Sequence, residues 1–168
     1  NQAMGWSIPA ALGAQRALPR RTVATITGDG CLLMTAMELS TAARACLPVK
    51  FFILDDHAYH YMQELQWAAY RRVTATRLAR VDYAALAKGL GLGYAEITRD
   101  EHLAPTIHAV LAHPGPVLCR VAIDYRNVKF RWIDAVRERF TEELTLAQKA
   151  RFLARLTARN LDRTPQND

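Results

Sequence analysis

No apolar run in the 168-residue chain approaches the ~20 residues needed to cross a bilayer, and no basic-then-apolar leader stands in the sequence. Cysteine is scarce: Cys31, Cys46 and Cys119 are odd in number, far apart and set among apolar neighbours. That spacing excludes a disulfide framework or a zinc motif, and it leads us to expect reduced thiols in a cytoplasmic protein. Internal repeats and low-complexity segments are also lacking. What is present is ordinary for a soluble globular domain, with 51% hydrophobic and 23% charged residues and enough length for a sizeable core.

The net charge of +6 is unevenly spread. Residues 1–125 carry 12 Lys/Arg against 10 Asp/Glu, whereas residues 126–168 carry 10 against 6. The basic residues have no helix-turn-helix or RNP-like context, so a solvated helix face explains them better than nucleic acid does.

Periodicity predicts alternating helices and strands. Gly5–Leu18 reads as a helix rich in small residues, and Thr22–Thr27 as a short β-branched strand. The "GDGC" that follows reads as a turn, then Met34–Leu47 as a helix ended by Pro48. Val49–Leu54 reads as a strand without alternation, as expected where both faces are covered. Helical patterns follow over Ala58–Tyr70, over Asp82–Leu92 with Asp82 as N-cap, and over Asp100–His113. An irregular basic loop, Arg71–Arg80, separates the first two. Tyr94–Thr98 and Gly115–Ile123 read as strands. The fold class is therefore α/β, a parallel sheet with helices on both faces. It spans residues 1–125, and residues 126–168 form a basic helical C-terminal extension. Its one clear element is an amphipathic helix over Thr141–Leu161, with Leu146, Ala150, Leu153 and Thr157 on a stripe.

The stretch "KFFILDDHAYHY" (Lys50–Tyr61) poses the chemical question, because an apolar strand ends in two adjacent carboxylates, Asp55 and Asp56. Another acid, Asp29, follows the Thr22–Thr27 strand. Ligands of open parallel sheets bind beyond the carboxyl ends of the strands. If these two strands are neighbours, the acidic tips share one crevice, and a divalent cation with oxygen ligands is the natural reason to tolerate them. Gly28 and Gly30 flank Asp29 and let the backbone turn and approach a ligand. The helix after them offers free N–H groups to an anion. Together these parts suit a magnesium–diphosphate group.

"GDG", then 24 residues, then an acid pair closing a strand, resembles the thiamine diphosphate motif of ThDP-dependent enzymes. The flanks "AMGWSIPAALGAQ" and "MTAMELSTAARACLPVKFFIL" resemble the acetolactate synthase-like branch, over about residues 2–125. The resemblance implies the diphosphate-binding domain of the ThDP-binding fold, with thiamine diphosphate and Mg²⁺ as cofactors. It implies that Asp29 and Asp56 ligate Mg²⁺ through their side chains and Ala58 through its carbonyl. Gly28, Gly30 and Cys31 would lie against the diphosphate, the last two offering backbone N–H groups. Met4 falls on the apolar wedge beneath the cofactor, and Gln2 on a position whose carbonyl accepts from the aminopyrimidine. The implied activity is decarboxylation or carboligation of a small 2-oxo acid.

This sequence departs from that pattern in stated ways. The family's pair is commonly Asn-Asn, so Asp55 adds a negative charge that needs a partner, for which His57, His60, Arg71 and Arg72 are candidates. Cys31 stands where a serine hydroxyl is usual, and His60–Tyr61 stand where Gly-Met is common. The resemblance also implies a glutamate from a pyrimidine-binding domain, supplied by another chain or a missing segment. We therefore expect a domain truncated at its N-terminus, working in an oligomer. Two other readings are a non-catalytic ThDP-fold interaction module and, more distantly, a phospho-receiver-like Mg²⁺ domain. The latter would leave Gly28 and Gly30 unused and needs better placed residues than Asp100 and Lys88.

Overall fold

A computed structural model of the chain describes residues 3–125, Val128, and residues 145–148, 150, 151 and 154. Its contacts divide it into two units. One comprises residues 1–59 and 77–125, and the other residues 60–76 and 126–168.

The first unit is built on four parallel strands: β1 (Ala24–Gly28), β2 (Lys50–Asp55), β3 (Gly93–Ile97) and β4 (Val117–Ala122). Their order is β1-β2-β4-β3. Gly28 pairs with Leu54, and Asp55 pairs with Ala122, so the carboxyl ends of β1 and β2 lie side by side. Helices α1 (Ser7–Ala17), α2 (Asp29–Thr35), α3 (Leu39–Arg44), α5 (Tyr83–Gly89) and α6 (Leu103–Ala112) surround the sheet.

Alternation along β2 divides the core in two. Phe51 and Ile53 pack with Ile8, Leu12, Leu32, Leu39, Tyr83 and Ala87, which puts α1, α2, α3 and α5 on one face. Phe52 packs with Val117, Cys119, Ile97 and Val110, which puts α6 on the other. Both faces of β2 are thus covered, and its unbroken apolar run is explained. Full burial of a side chain such as Phe51 or Ile53 contributes about 1.5–3 kcal/mol.

Several expected elements are corrected. "GDGC" is not a turn: Gly28 is extended (φ −76°, ψ 158°) and Asp29 opens α2 directly. Neither Gly28 nor Gly30 has a positive φ, so their freedom is not used for a sharp bend. The single helix expected over Met34–Leu47 is broken, because Thr35 leaves helical geometry (φ −138°, ψ 23°) and a 3₁₀ turn over Ala36–Glu38 follows. The Thr35 hydroxyl donates instead to the Gly5 carbonyl. Asp100–His102 is 3₁₀, and α6 starts at Leu103 with Pro105 in its first turn, where the missing N–H costs nothing. The expected N-cap holds, since the Asp82 carboxylate accepts from the Ala85 N–H at 2.9 Å. Gly91 (φ +79°) closes α5 with the Leu92 N–H bonded back to the Ala87 carbonyl.

The second unit contains α4 (His60–Tyr70), two residues shorter at its start than expected. Within it His60 faces Glu64 at 3.6 Å, and the Arg71 guanidinium lies over the Trp67 ring, 5.8 Å from its centre. Further along, Thr145 and Gln148 form a capping box, each side chain accepting from the other's backbone N–H, and residues 146–148, 150, 151 and 154 are helical. Most of the helix expected over Thr141–Leu161, including Leu153 and Thr157, lies outside the described residues. No helix among the described residues is long and apolar enough to cross a membrane.

Candidate metal centre

The carboxyl ends of β1 and β2 bring Asp29, Asp55, Asp56 and His57 together, and they do so because the two strands are hydrogen-bonded neighbours. Asp29 is 3% exposed and Asp55 is 2% exposed. One ligating atom from each of Asp29, Asp55 and His57 lies within 4.8 Å of the others.

The two buried acids are treated differently. Asp55 is held on every side: Arg120 Nε donates to its Oδ2 at 2.6 Å, Tyr83 Oη donates to its Oδ1 at 3.2 Å, and His57 Nδ1 lies 3.0 Å from Oδ1. Arg120 in turn pairs with Glu96. Among the described residues the one donor to Asp29 is the Gly30 N–H, at 2.7 Å from Oδ1, while its buried Oδ2 meets no donor and the Asp55 carboxylate stands beside it. Burial above all, and then the Asp56 and Asp55 carboxylates, push its pKa up to about 6 against that single bond. A buried carboxylate oxygen facing other acids calls for a proton or a cation.

Other expected residues fall into place around this cluster or elsewhere. Ala58 forms an isolated antiparallel bridge with Arg77, and the neighbouring His57 carbonyl accepts from the Leu78 N–H at 2.8 Å. The basic loop is thereby tied to the acid pair. Gly30 is required by close approach: a Cβ there would come within 2.4 Å of the Tyr59 ring, whereas a Cβ at Gly28 would meet nothing within 4 Å. Cys31 is half-buried in the first turn of α2. Met4 is 40% exposed ahead of α1. Ser7 Oγ donates to Thr27 Oγ1 at 2.8 Å, which fixes the start of α1 at the carboxyl end of β1, near Asp29 in sequence. Gln2 lies outside the described residues.

Of the four partners expected for Asp55, His57 is found there, while His60 and Arg71 have the partners within their own unit described above. Sequence reasoning missed Arg120, Tyr83 and Tyr125. Arg120 carried a signal, since a lone cation inside the apolar run "VLCRVAI" calls for a buried acid. Burial, and then the Asp56 and Asp29 carboxylates, push the pKa of the Tyr125 phenol up.

A parallel sheet with helices on both faces and acids at the tips of adjacent strands defines an open α/β domain, a class whose ligands bind beyond the carboxyl ends of the strands. The match to known families is specific: residues 1–121 match the family described as "Thiamine pyrophosphate enzyme, C-terminal TPP binding domain", and the chain belongs to it. It is 36% identical over 123 residues to the acetolactate synthase isozyme 2 large subunit of Escherichia coli, an alignment covering 72% of this chain and 22% of that protein. It is 35% identical over 122 residues to the mitochondrial acetolactate synthase catalytic subunit of Saccharomyces cerevisiae, covering 72% and 18%. A third relative, the acetolactate synthase large subunit of Parasynechococcus marenigrum, is 37% identical over 123 residues, covering 71% and 20%. The chain thus spans about a fifth of the length of these relatives.

Proposed function

We propose that the chain binds the diphosphate end of thiamine diphosphate through Mg²⁺, as part of a cytoplasmic, oligomeric decarboxylase or carboligase of small 2-oxo acids, acetolactate synthase-like. Domain 1–125 carries this role. The observation that supports it best is the Asp29 carboxylate, buried against other acids with one oxygen that meets no donor. That donor set fits a hard divalent cation.

In this reading Asp29 and Asp56 ligate the ion through their side chains and Ala58 through its carbonyl. Gly28, Gly30 and Cys31 line the diphosphate, and the open space over Gly28 favours its approach there. Over Gly30 the Tyr59 ring already stands, and the Gly30 N–H already donates to Asp29. A diphosphate held at Gly30 would require that N–H to turn from Asp29 and the Tyr59 ring to move aside. Met4 supports the cofactor from beneath, and the Gln2 carbonyl accepts from its aminopyrimidine. The bound group supplies the carbanion and electron sink for loss of CO₂. A pyrimidine-binding domain, from another chain or segment, contributes the glutamate that completes the site.

Asp29→Ala tests the reading. In the assembled protein it should abolish Mg²⁺-dependent binding of thiamine diphosphate measured by calorimetry, and unchanged affinity would rule out the ligand role.

A further inference from the structure

We infer that two copies of this chain pair through the sheet face that carries α6, each α6 filling the part of the other copy's sheet that is left bare. The strand tips take no part in this pairing, so it stands apart from the cofactor reading.

Two observations, each unexplained within one copy, carry it. The first is a sheet covered unevenly, although a parallel sheet normally has both faces packed. One face holds α1, α2, α3 and α5, while on the other the Val110 side chain of α6 packs with Ile97, Val117, Cys119 and Phe52. β1 is the edge strand next to β2, and Ile26 pairs with Phe52, so both side chains point to the α6 face. Yet Phe52 is 9% exposed and Ile26 is 69% exposed. β1 stands two strands from β4, about 10 Å, which is the spacing of packed helices. A second helix beside α6 fits there.

The second observation is α6 itself. From Leu103 to Pro116 the chain has no Asp, Glu, Lys or Arg. The helices α1, α3 and α5, by contrast, each carry a cation in the last turn. By the helical period Pro105, Ala109 and Ala112 lie on the side away from Val110, and all three are exposed. Leu103 and Leu111 remain 45% and 41% exposed. A helix that is apolar on its outer side as well as its inner side is one that belongs in an interior.

One occupant answers both observations. Across a two-fold axis the second copy sets its α6 over β1, with Ala109 and its outer neighbours toward Ile26. The two α6 helices then meet side by side along Leu103 and Leu111. In such an isologous contact each patch faces a copy of itself, so a charged patch would be repelled; this one has no acid or cation to bury. The same contact covers the bare strand and the outer side of α6 together.

The test is sedimentation equilibrium of the full chain without metal or cofactor. The parent should be a dimer with a dissociation constant of about 10 μM or tighter. Ile26→Lys and Ala109→Glu each change an exposed side chain, so the circular dichroism should stay that of the parent. Each should weaken the dimer about 100-fold or more, because the two-fold axis buries the new charge twice. Combining them sets the opposite charges against each other across the axis and should recover at least ~10-fold of that loss. A parent that stays monomeric at about 100 μM overturns the inference and leaves β1 to a helix of another polypeptide. Dimers unmoved by either single substitution overturn it too, as does a combined variant no tighter than the single ones.

Discussion

The two ends of β2 carry buried charges of opposite sign and opposite meaning. At its amino end Lys50 is 2% exposed, and its ammonium donates to the carbonyls of His113 and Gly115 at 2.5 and 2.6 Å. At its carboxyl end Asp55 is as deeply buried and fully bonded, but Asp29 beside it is not. Burial alone therefore does not mark a functional charge. Lys50 and Asp55 have their demands met by the chain, and they fix structure. The charge whose demand the chain leaves unmet is the one that points to a ligand.

Removing the partner of a satisfied charge should be most damaging. Arg120→Leu leaves the Asp55 side chain, 0% exposed, without its cation and adds a repulsion with Asp29. It should cost about 3–5 kcal/mol, read as a fall in the urea midpoint. A loss under about 1 kcal/mol would mean that water or His57 compensates, and the contrast between the two acids would weaken.

Lys50→Met keeps most of the volume but strands two carbonyls, which sit in a loop that water can partly reach. A smaller loss of about 1–3 kcal/mol is expected by the same measurement, with no change in metal binding. Altered metal affinity would show that the two ends of β2 are not independent.

Asp29→Asn should act with the opposite sign. The folded-state pKa of about 6 lies above the ordinary 3.8, so between those values the folded chain keeps a proton that the unfolded chain has released. The contribution of Asp29 to stability is thus full below the lower value and is lost as pH rises through the upper one. Without metal, Asn should stabilise the chain at about pH 7, and the advantage should vanish by about pH 4. Added Mg²⁺ should narrow the gap at neutral pH. Parallel pH profiles for variant and parent would show that the unmet oxygen is solvated after all.

Much of this was legible in residues. The apolar run Phe51–Leu54 announced a strand covered on both faces, and the acids after it, with Asp29, announced a cluster of carboxylates at neighbouring strand tips. Asp82 before "YAALAKG" announced a helix start. The break at Thr35 was not legible, because the pattern of Met34, Met37 and Ala42 continues helically while a hydroxyl–carbonyl bond to Gly5 decides the local geometry. The crowding over Gly30 was hidden for a related reason. Only the fold shows a tyrosine ring pressed on its Cα, since Tyr59 is distant in sequence. Long-range partners explain the rest: Arg120 lies 65 residues from Asp55, and Tyr83 lies 28 away. Spacing motifs register local geometry and strand neighbours, but not which distant side chain neutralises a buried acid.

The central claim is best tested by locating the ion. A crystal of the chain, assembled with the proposed pyrimidine-binding domain and grown with Mn²⁺ and thiamine diphosphate, should show an anomalous scattering peak about 2.1 Å from an Asp29 carboxylate oxygen. A diphosphate bound with its metal away from Asp29, or no metal at the tips of β1 and β2, would contradict the account.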